Sequence, residues 1–491
     1  PGSWRVPSII PLPDEIQVHP ADLVLDGDGD RRQLIVTGPD SAGAERDWTQ
    51  DVVFTSSEEK VVQIAGGVAT AKDDGNAQIS VQLGQKATEV AVRVVNAKTS
   101  RSLCFESEVL VALSKQGCCS GACHGSPSGK GMFRLSLRGF DKQLDELTLI
   151  REDFSRRVNR QEPEKSLLLL KPLMKISHGG GKQLHPDDAA YAVIHEWIAE
   201  GAKPDPSDAP RCNRLEVFPN EKRILPLDAP QQLSVVAHFT DGTSRDVTHL
   251  VAYVSSNMIV AKVNRNGFIT PVSRGESVIL VRFLEHIESL PIMFVNQTAD
   301  FEFNAPEPNN YIDDLVNAKL EQLQYQPSKI CTDDEFLRRV HLDVIGVLPT
   351  PEESRLFLDD PSPDKRAELI DRLLQRDEFA KFWALKWGDL LRMTGKSVGD
   401  EGVYKYYRWV EESFRSNLPY DQFARSLLAA SGSTLANPPA NFYRTATDMN
   451  DCVETVSQTF LGARLQCAKC HNHPFEGWTQ DNYYGLGAFF H

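Results

Sequence analysis

Cysteine and histidine stand together twice in this chain, as Cys467-Ala-Lys-Cys470-His471 and as Cys119-Ser-Gly-Ala-Cys123-His124-Gly125. Two thiols three positions apart can add to the two vinyl groups of one haem, and the adjacent imidazole then sits under the iron as proximal ligand. The later motif therefore predicts covalent haem on Cys467 and Cys470, with His471 on the metal. A structural zinc site or a redox disulfide are the alternatives. Zinc would use both thiolates plus His471 or His473, but adjacent ligands close a tetrahedron poorly, and no second Cys-x-x-Cys completes a familiar pattern. A thioredoxin-like motif wants a βαβ setting, whereas this one follows a predicted helix. The earlier motif spaces its cysteines one residue wider, so the loop must bulge to bring both sulfurs to the vinyls. It predicts haem on Cys119 and Cys123 with His124 proximal. Cys118 offers another first thioether at a poorer spacing, and a disulfide-linked loop is the alternative.

The sixth ligand of the first iron is expected from the stretch Lys171-Pro-Leu-Met174-Lys-Ile-Ser-His178-Gly-Gly-Gly-Lys182. His178 is favoured over Met174, because the three glycines after it let backbone approach a flat cofactor closely. Two histidine ligands would set a lower potential than a His/Met pair. His185 and His195 read as ordinary surface or helix histidines. For the second iron no distal ligand is evident. Met393, Met449, His341 and His491 are the candidates, while His473-Pro474-Phe475 reads as the haem edge. Phe382, Trp383 and Trp387 fall at helical spacing and read as core. No Gly-rich phosphate loop, Gly-x-Ser-x-Gly elbow or convincing carboxylate pair is present. Asp313-Asp314 reads as helix-start charge. No catalytic residue is assigned; an electron carrier is expected rather than an enzyme, and any enzyme would be a haem oxidoreductase.

Stepping outward, 491 residues with 41% hydrophobic and 25% charged side chains can bury a large core. A net charge of −15 argues against a general nucleic-acid binder, which needs a basic footprint. No apolar run approaches the ~18 residues of a membrane span. Pro1–Pro13 lacks the regions of a signal peptide, and the aromatic run Phe489-Phe490-His491 suggests that the natural protein continues further. Nine cysteines are an odd number. Outside the motifs, Cys104–Cys212 and Cys331–Cys452 are candidate disulfides, with connectivity open.

The elements expected to carry these motifs alternate in kind. Residues 14–97 read as short strands separated by Gly and Asp turns, such as Ala77–Leu83 and Glu89–Val95. Residues 214–296 repeat them. Asp47-Trp-Thr-Gln-Asp51 matches Asp246-Val-Thr-His-Leu250, and the stretch from Phe54 matches that from Tyr253. Between the copies, helices are expected over Glu106–Gln116 and Asp187–Ala199. After the second copy, Thr332-Asp-Asp-Glu335 and Thr350-Pro-Glu-Glu353 read as capping boxes. Ser362-Pro363 opens another helix, and Asp448–Gln466 reads as a helix running straight into the second cysteine motif. The expected architecture is a multidomain α and β chain. Ig-like β-sandwiches at 1–98 and 213–298 alternate with a small cytochrome c-like helical domain at 99–212 and an all-α domain at 299–491.

Two resemblances add to this. Phe239-Thr-Asp-Gly-Thr-Ser-Arg-Asp-Val-Thr248, Val254-Ser-Ser256 and Asn266-Gly-Phe-Ile269 resemble the group 2 bacterial Ig-like domains; the first copy departs at Ala65-Gly-Gly-Val-Ala69. The chain as a whole resembles planctomycete-type multidomain c-type cytochromes. Gly117–Gly125, Pro172 with His178–Gly181, and Trp197–Ala202 carry this in one part, and Arg338–Pro351, Phe460–Phe475 and Trp478–Gly485 in the other. The resemblance implies two covalently attached c haems, export to the periplasm or cell surface, and redox partner proteins. The leading expectation is thus an exported dihaem electron carrier. The alternative is a cell-surface interaction or structural protein whose Ig-like modules bind a partner or glycan and whose cysteine motifs are disulfides or zinc sites.

Overall fold

In the strand Lys86–Val95, Val90, Val92 and Val94 are buried while Glu89, Ala91 and Arg93 face water. This period of two is what a sheet with one packed face requires. The strand lies in a computed structural model that describes residues 12–39, 43, 45–99, 101–295, 301–470, 473 and 476–490. The chain divides into two compact units, Pro1–Gln326 and Pro327–His491.

In the first unit, Lys86–Val95 pairs antiparallel with Gly75–Leu83, which pairs with Val53–Ser56. On its other side it runs parallel to Asp22–Asp26. Two three-stranded sheets complete the module. The second copy repeats this strand for strand, with His286–Val295 between Gly275–Phe283 and the parallel Arg223–Pro226, and Ala252–Ser255 at the far edge. The repeat expected from sequence is therefore visible in topology.

The two copies also hold one another. Asp47 accepts hydrogen bonds from the Gln232 backbone N–H at 2.5 Å and the Gln231 side chain at 3.0 Å. Asp246, at the matching place in the other copy, accepts from the Gln33 N–H at 2.7 Å. The exchange is reciprocal, as in a two-fold interface. Each carboxylate also accepts from its own module, at the N–H of Thr49 or Thr248. Burial pushes both carboxyls above the usual range, against hydrogen bonds that favour the charged form.

Between the copies in sequence lie the helical turns that carry the first cysteine motif. Phe105–Leu110, a π-helical stretch, runs directly into the α-helix Val111–Lys115. Lys142–Ile150, Leu167–Leu170 and Ala189–Ala199 follow. Their apolar faces meet in one core, with Phe105, Leu110, Leu149, Leu169, Ile194 and Trp197 inside it. Trp197 is fully buried, and its indole N–H donates to the Lys203 carbonyl at 3.1 Å.

The described residues of the second unit hold helices and no strand. The Thr350 capping box forms as expected. The one at Thr332 does not. The helix Asp333–Ile345 begins there, but the Thr332 side chain makes no cap hydrogen bond; in the first turn Asp333 pairs with Lys365 and Arg366 at 2.8 and 2.7 Å. The helix expected over Asp448–Gln466 is also shorter. It spans Met449–Phe460 and stops where Gly462 takes φ +65°, so a link separates it from the 3₁₀ turn, Gln466–Lys469, that carries Cys467 and leads to Cys470. The candidate disulfides are not formed; all nine cysteines are free. Cys212 and Cys452 instead place their thiols against the carbonyls of Arg214 and Ala446.

Candidate functional site

The first motif begins where a helix ends. Gly117, at φ +78°, turns the chain out of Val111–Lys115, and the Cys118 N–H closes back on the Leu113 carbonyl at 3.0 Å. The loop then coils on itself. Cys123 and Gly125 donate to the Ser120 carbonyl, and His124 donates to the carbonyl of Cys118. Gly125 is required here, since a Cβ at that position would lie 2.1 Å from the Cys119 carbonyl oxygen.

This coil separates the three cysteines. Cys119 points inward and is only 1% exposed, within the helical core. Burial holds its thiol well above the ordinary value. Cys118 and Cys123 instead line a cavity of about 490 Å³, together with His124, Phe133, Arg157, Leu168 and His178. That volume lies inside the ~300–1,000 Å³ range of small-molecule and cofactor sites. Cys119, expected as the first thioether, is thus not on the cavity wall, and Cys118 is. The Cys118 thiol is pushed up to about 12 by burial. The wider spacing Cys118-x-x-x-x-Cys123-His124 is the sequence signal for this, a poorer match to two vinyl groups than the spacing from Cys119.

His124 and His178 face one cavity from opposite ends of the segment. Their ring centres are 6.2 Å apart and their planes 19° from parallel. Each ring is oriented from behind. His124 Nδ1 lies 3.0 Å from the Phe133 carbonyl, and His178 Nδ1 lies 2.8 Å from the Gly181 carbonyl. A carbonyl can only accept, so both Nδ1 atoms carry the hydrogen, and each Nε2 keeps its lone pair for a metal. Burial lowers the pKa of His124, with the Phe133 hydrogen bond opposing, which favours the neutral, ligating form.

The same spacing serves as a test for a shared metal ion. An imidazole centre lies ~1.1 Å beyond its nitrogen and metal–imidazole bonds run ~2.0 Å, so two imidazoles in line on opposite sides of one metal stand ~6.2 Å apart. The observed 6.2 Å fits. Two donors are too few for a bare ion, and among the described residues no group of three or more His, Cys, Asp or Glu is placed to hold one. They would serve a metal that arrives with most of its coordination already filled by a ligand of its own. Gly179 and Gly180 line the same cavity, and a Cβ on Gly180 would sit 3.0 Å from the His178 ring. Met174 is half exposed and does not line the cavity.

The second motif is built differently. Cys467 and Cys470 lie on the 3₁₀ turn and are exposed. The turn is braced from below by Ala468, packed with Val453, Leu465 and Tyr483, and the Lys469 carbonyl accepts from Gln480 and Tyr484. His471 and His491 lie outside the described residues. His473 is buried, with Nδ1 accepting from the Glu476 N–H at 3.0 Å. His341 is buried within its helix, Nδ1 against the Leu337 carbonyl. Met393 packs in the core around Tyr406 and Phe423, whereas Met449 packs beside the braced turn. Trp387 meets Phe414, Tyr420, Phe423 and Phe460 in an aromatic core.

With the geometry in place, comparison with known proteins gives one family. The model PSCyt2, described as a protein of unknown function (DUF1549), matches residues 311–491. This corrects the resemblance to planctomycete-type multidomain c-type cytochromes. The match lies in the last part of the chain, residues 311–491, rather than nearly all of it, and is to a family of unknown function. No curated protein sequence matches the chain. Among solved structures, domains 5–6 of the S-layer protein SbsC align at 13% identity and a TM-score of 0.24, over 59% of this chain and 100% of that one. Domains 4–9 of the same protein align at 12% and 0.24, over 58% and 32%. Extracellular domains 3–5 of Drosophila OTK align at 9% and 0.12, over 58% and 65%. At these scores the β-modules rest on their own topology. No helix among the described residues is long and apolar enough to cross a membrane.

Proposed function

We propose that this chain is an exported c-type haem protein that transfers electrons. One haem would be held between His124 and His178 and anchored through Cys118 and Cys123. The observation that carries this reading is the pair of imidazoles, each fixed through Nδ1, spaced 6.2 Å apart over one cavity. Bound there, haem would supply one-electron chemistry; the chain's own residues orient the ligands, exclude water and set the charge around the ring. Two histidine ligands favour a low potential. At Cys467, Cys470 and His471 a second haem rests on spacing alone.

The test is a pyridine haemochrome spectrum and an intact mass of the full chain, made in a host with haem-attachment machinery. The expected result is haem-dependent absorption and the added mass of covalent haem, with His124→Ala removing the first site's contribution. A correctly folded chain carrying neither sinks the proposal.

A second reading has its own support. The reciprocal hydrogen bonds of Asp47 and Asp246 join two matched β-modules, read as Ig-like, into one paired scaffold. This favours a cell-surface interaction protein. The same mass measurement separates the readings, since a disulfide only removes hydrogens.

A further inference from the structure

Charge around the cavity runs against the charge of the whole protein. The chain carries −15 overall, yet Lys130, Arg156, Arg157 and Lys171 all line the site, with Asp153 as its one carboxylate. Arg157 is committed elsewhere. It is buried and donates to the carbonyls of Thr148 at 2.9 Å and Met132 at 3.0 Å, and to Asp153 at 2.7 Å. It thereby ties down the loops of the wall and neutralises Asp153. The other three have no such role. Among the described residues none of Lys130, Arg156 or Lys171 forms an ion pair, and Lys171 reaches only the Ser177 carbonyl, at 3.4 Å. Lys130 lies on the 124–133 loop, Arg156 follows the 152–155 turn, and Lys171 leads toward His178, so three separate segments bring unspent cations to one cavity.

We infer that Lys130, Arg156 and Lys171 form a carboxylate-binding collar, so that the cavity takes a planar macrocycle bearing acidic side arms. A guanidinium forks onto a carboxylate and an ammonium pairs with it as a point charge. The inference rests on the reading of His124 and His178 as the two axial ligands and adds what the rim of the same site recognises.

The experiment uses the full chain made without attachment machinery and titrated, by absorption, with iron(III) mesoporphyrin or its dimethyl ester. Mesoporphyrin has two carboxylates and no vinyl groups, so thioether formation cannot mask the contribution of the rim. The diacid is expected to bind about fivefold or more tighter than the diester at low salt, the size that one or two partly exposed ion pairs give. The triple variant K130Q/R156Q/K171Q is expected to bind the diester as the parent does, which shows that the pocket is intact, and to lose the preference for the diacid. Equal binding of diacid and diester by the parent overturns the collar alone, as does a triple variant that keeps the preference. If neither compound gives a bis-imidazole spectrum with the parent, the axial-ligand reading falls and the collar with it.

Discussion

Two stretches of this chain present cysteines and histidines at similar spacing, and they sit on different foundations. Around residues 118–124 the backbone coils over a helical core. One cysteine is buried beneath it, two others line a cavity, and a distant segment brings a second imidazole across from the first. Around residues 467–470 the cysteines ride on a single turn at the surface, fastened by Ala468 and Tyr483 below, with both thiols in water. The first region combines reagents with a chamber. The second offers reagents on a braced platform. Burial, then, decides what a cysteine–histidine motif is ready to do, because it sets which sulfur is reachable and which imidazole is held neutral.

Thiol alkylation of the reduced, haem-free chain is the most direct way to break this comparison, and the largest effect expected. Cys467 and Cys470 should label quickly in native buffer. Cys119 and Cys452, buried in their cores, must wait for local or global opening, so their labelling should lag by ~10³-fold or more. Peptide mapping over time reads the order. Labelling of Cys119 at the pace of Cys467 would dissolve the distinction.

Substitution within the first motif sharpens the comparison further. Cys119→Ser puts a hydroxyl into an apolar site and should cost about 1–3 kcal/mol of stability while leaving covalent haem in place. Cys118→Ser should do the opposite. The fold would be kept, but only the Cys123 thioether could form, moving the pyridine haemochrome band toward that of a haem with one remaining vinyl. If Cys119→Ser produces that band shift and Cys118→Ser does not, the attachment assignment is wrong.

These substitutions also mark how much could be read from sequence. Spacing located both motifs and picked out His178, because imidazoles and glycines announce themselves by type. It ranked Cys119 above Cys118, because the choice depends on how Gly117 and the Ser120 carbonyl coil the loop, which no count of residues reveals. The β-repeat was legible as far as its strands, since alternation of apolar residues dictates them. The clasp between the copies was not legible: Asp47 and Asp246 look like ordinary turn residues until both modules are folded and each reaches the other's Gln backbone. In the helical unit, capping at Thr350 was legible because it is local. The absent cap at Thr332 was not, since the same Thr-x-x-Glu spacing stands at both sites and only the folded turn shows the Thr332 side chain making no cap hydrogen bond. The cationic lining of the cavity was likewise invisible, because its residues come from three separate segments.

The smallest effect concerns the floor under the first motif. Asp145 is fully buried and accepts from the N–H of Ser136, and burial raises its pKa to about 6. Next to Ser136, Leu135 donates to the His124 carbonyl at 2.8 Å, so this carboxyl sits one residue from a bond that holds the His124 loop. In the unfolded chain the group titrates near its ordinary value, well below 6. The folded state therefore holds its proton more tightly. The stability it contributes is fully present below about pH 4 and is lost as pH rises through about 6. Asp145→Asn keeps an acceptor for the Ser136 N–H and cannot ionise. Relative to the parent, the local stability of this variant should rise by about 1–3 kcal/mol between pH 4 and pH 7. Hydrogen exchange of the peptide covering residues 133–140, followed across that range and corrected for intrinsic rates, reads the difference. The second motif should show no matching change, as the same variant leaves the 466–470 turn untouched. A flat difference at 133–140 would mean that Asp145 is not what the loop stands on.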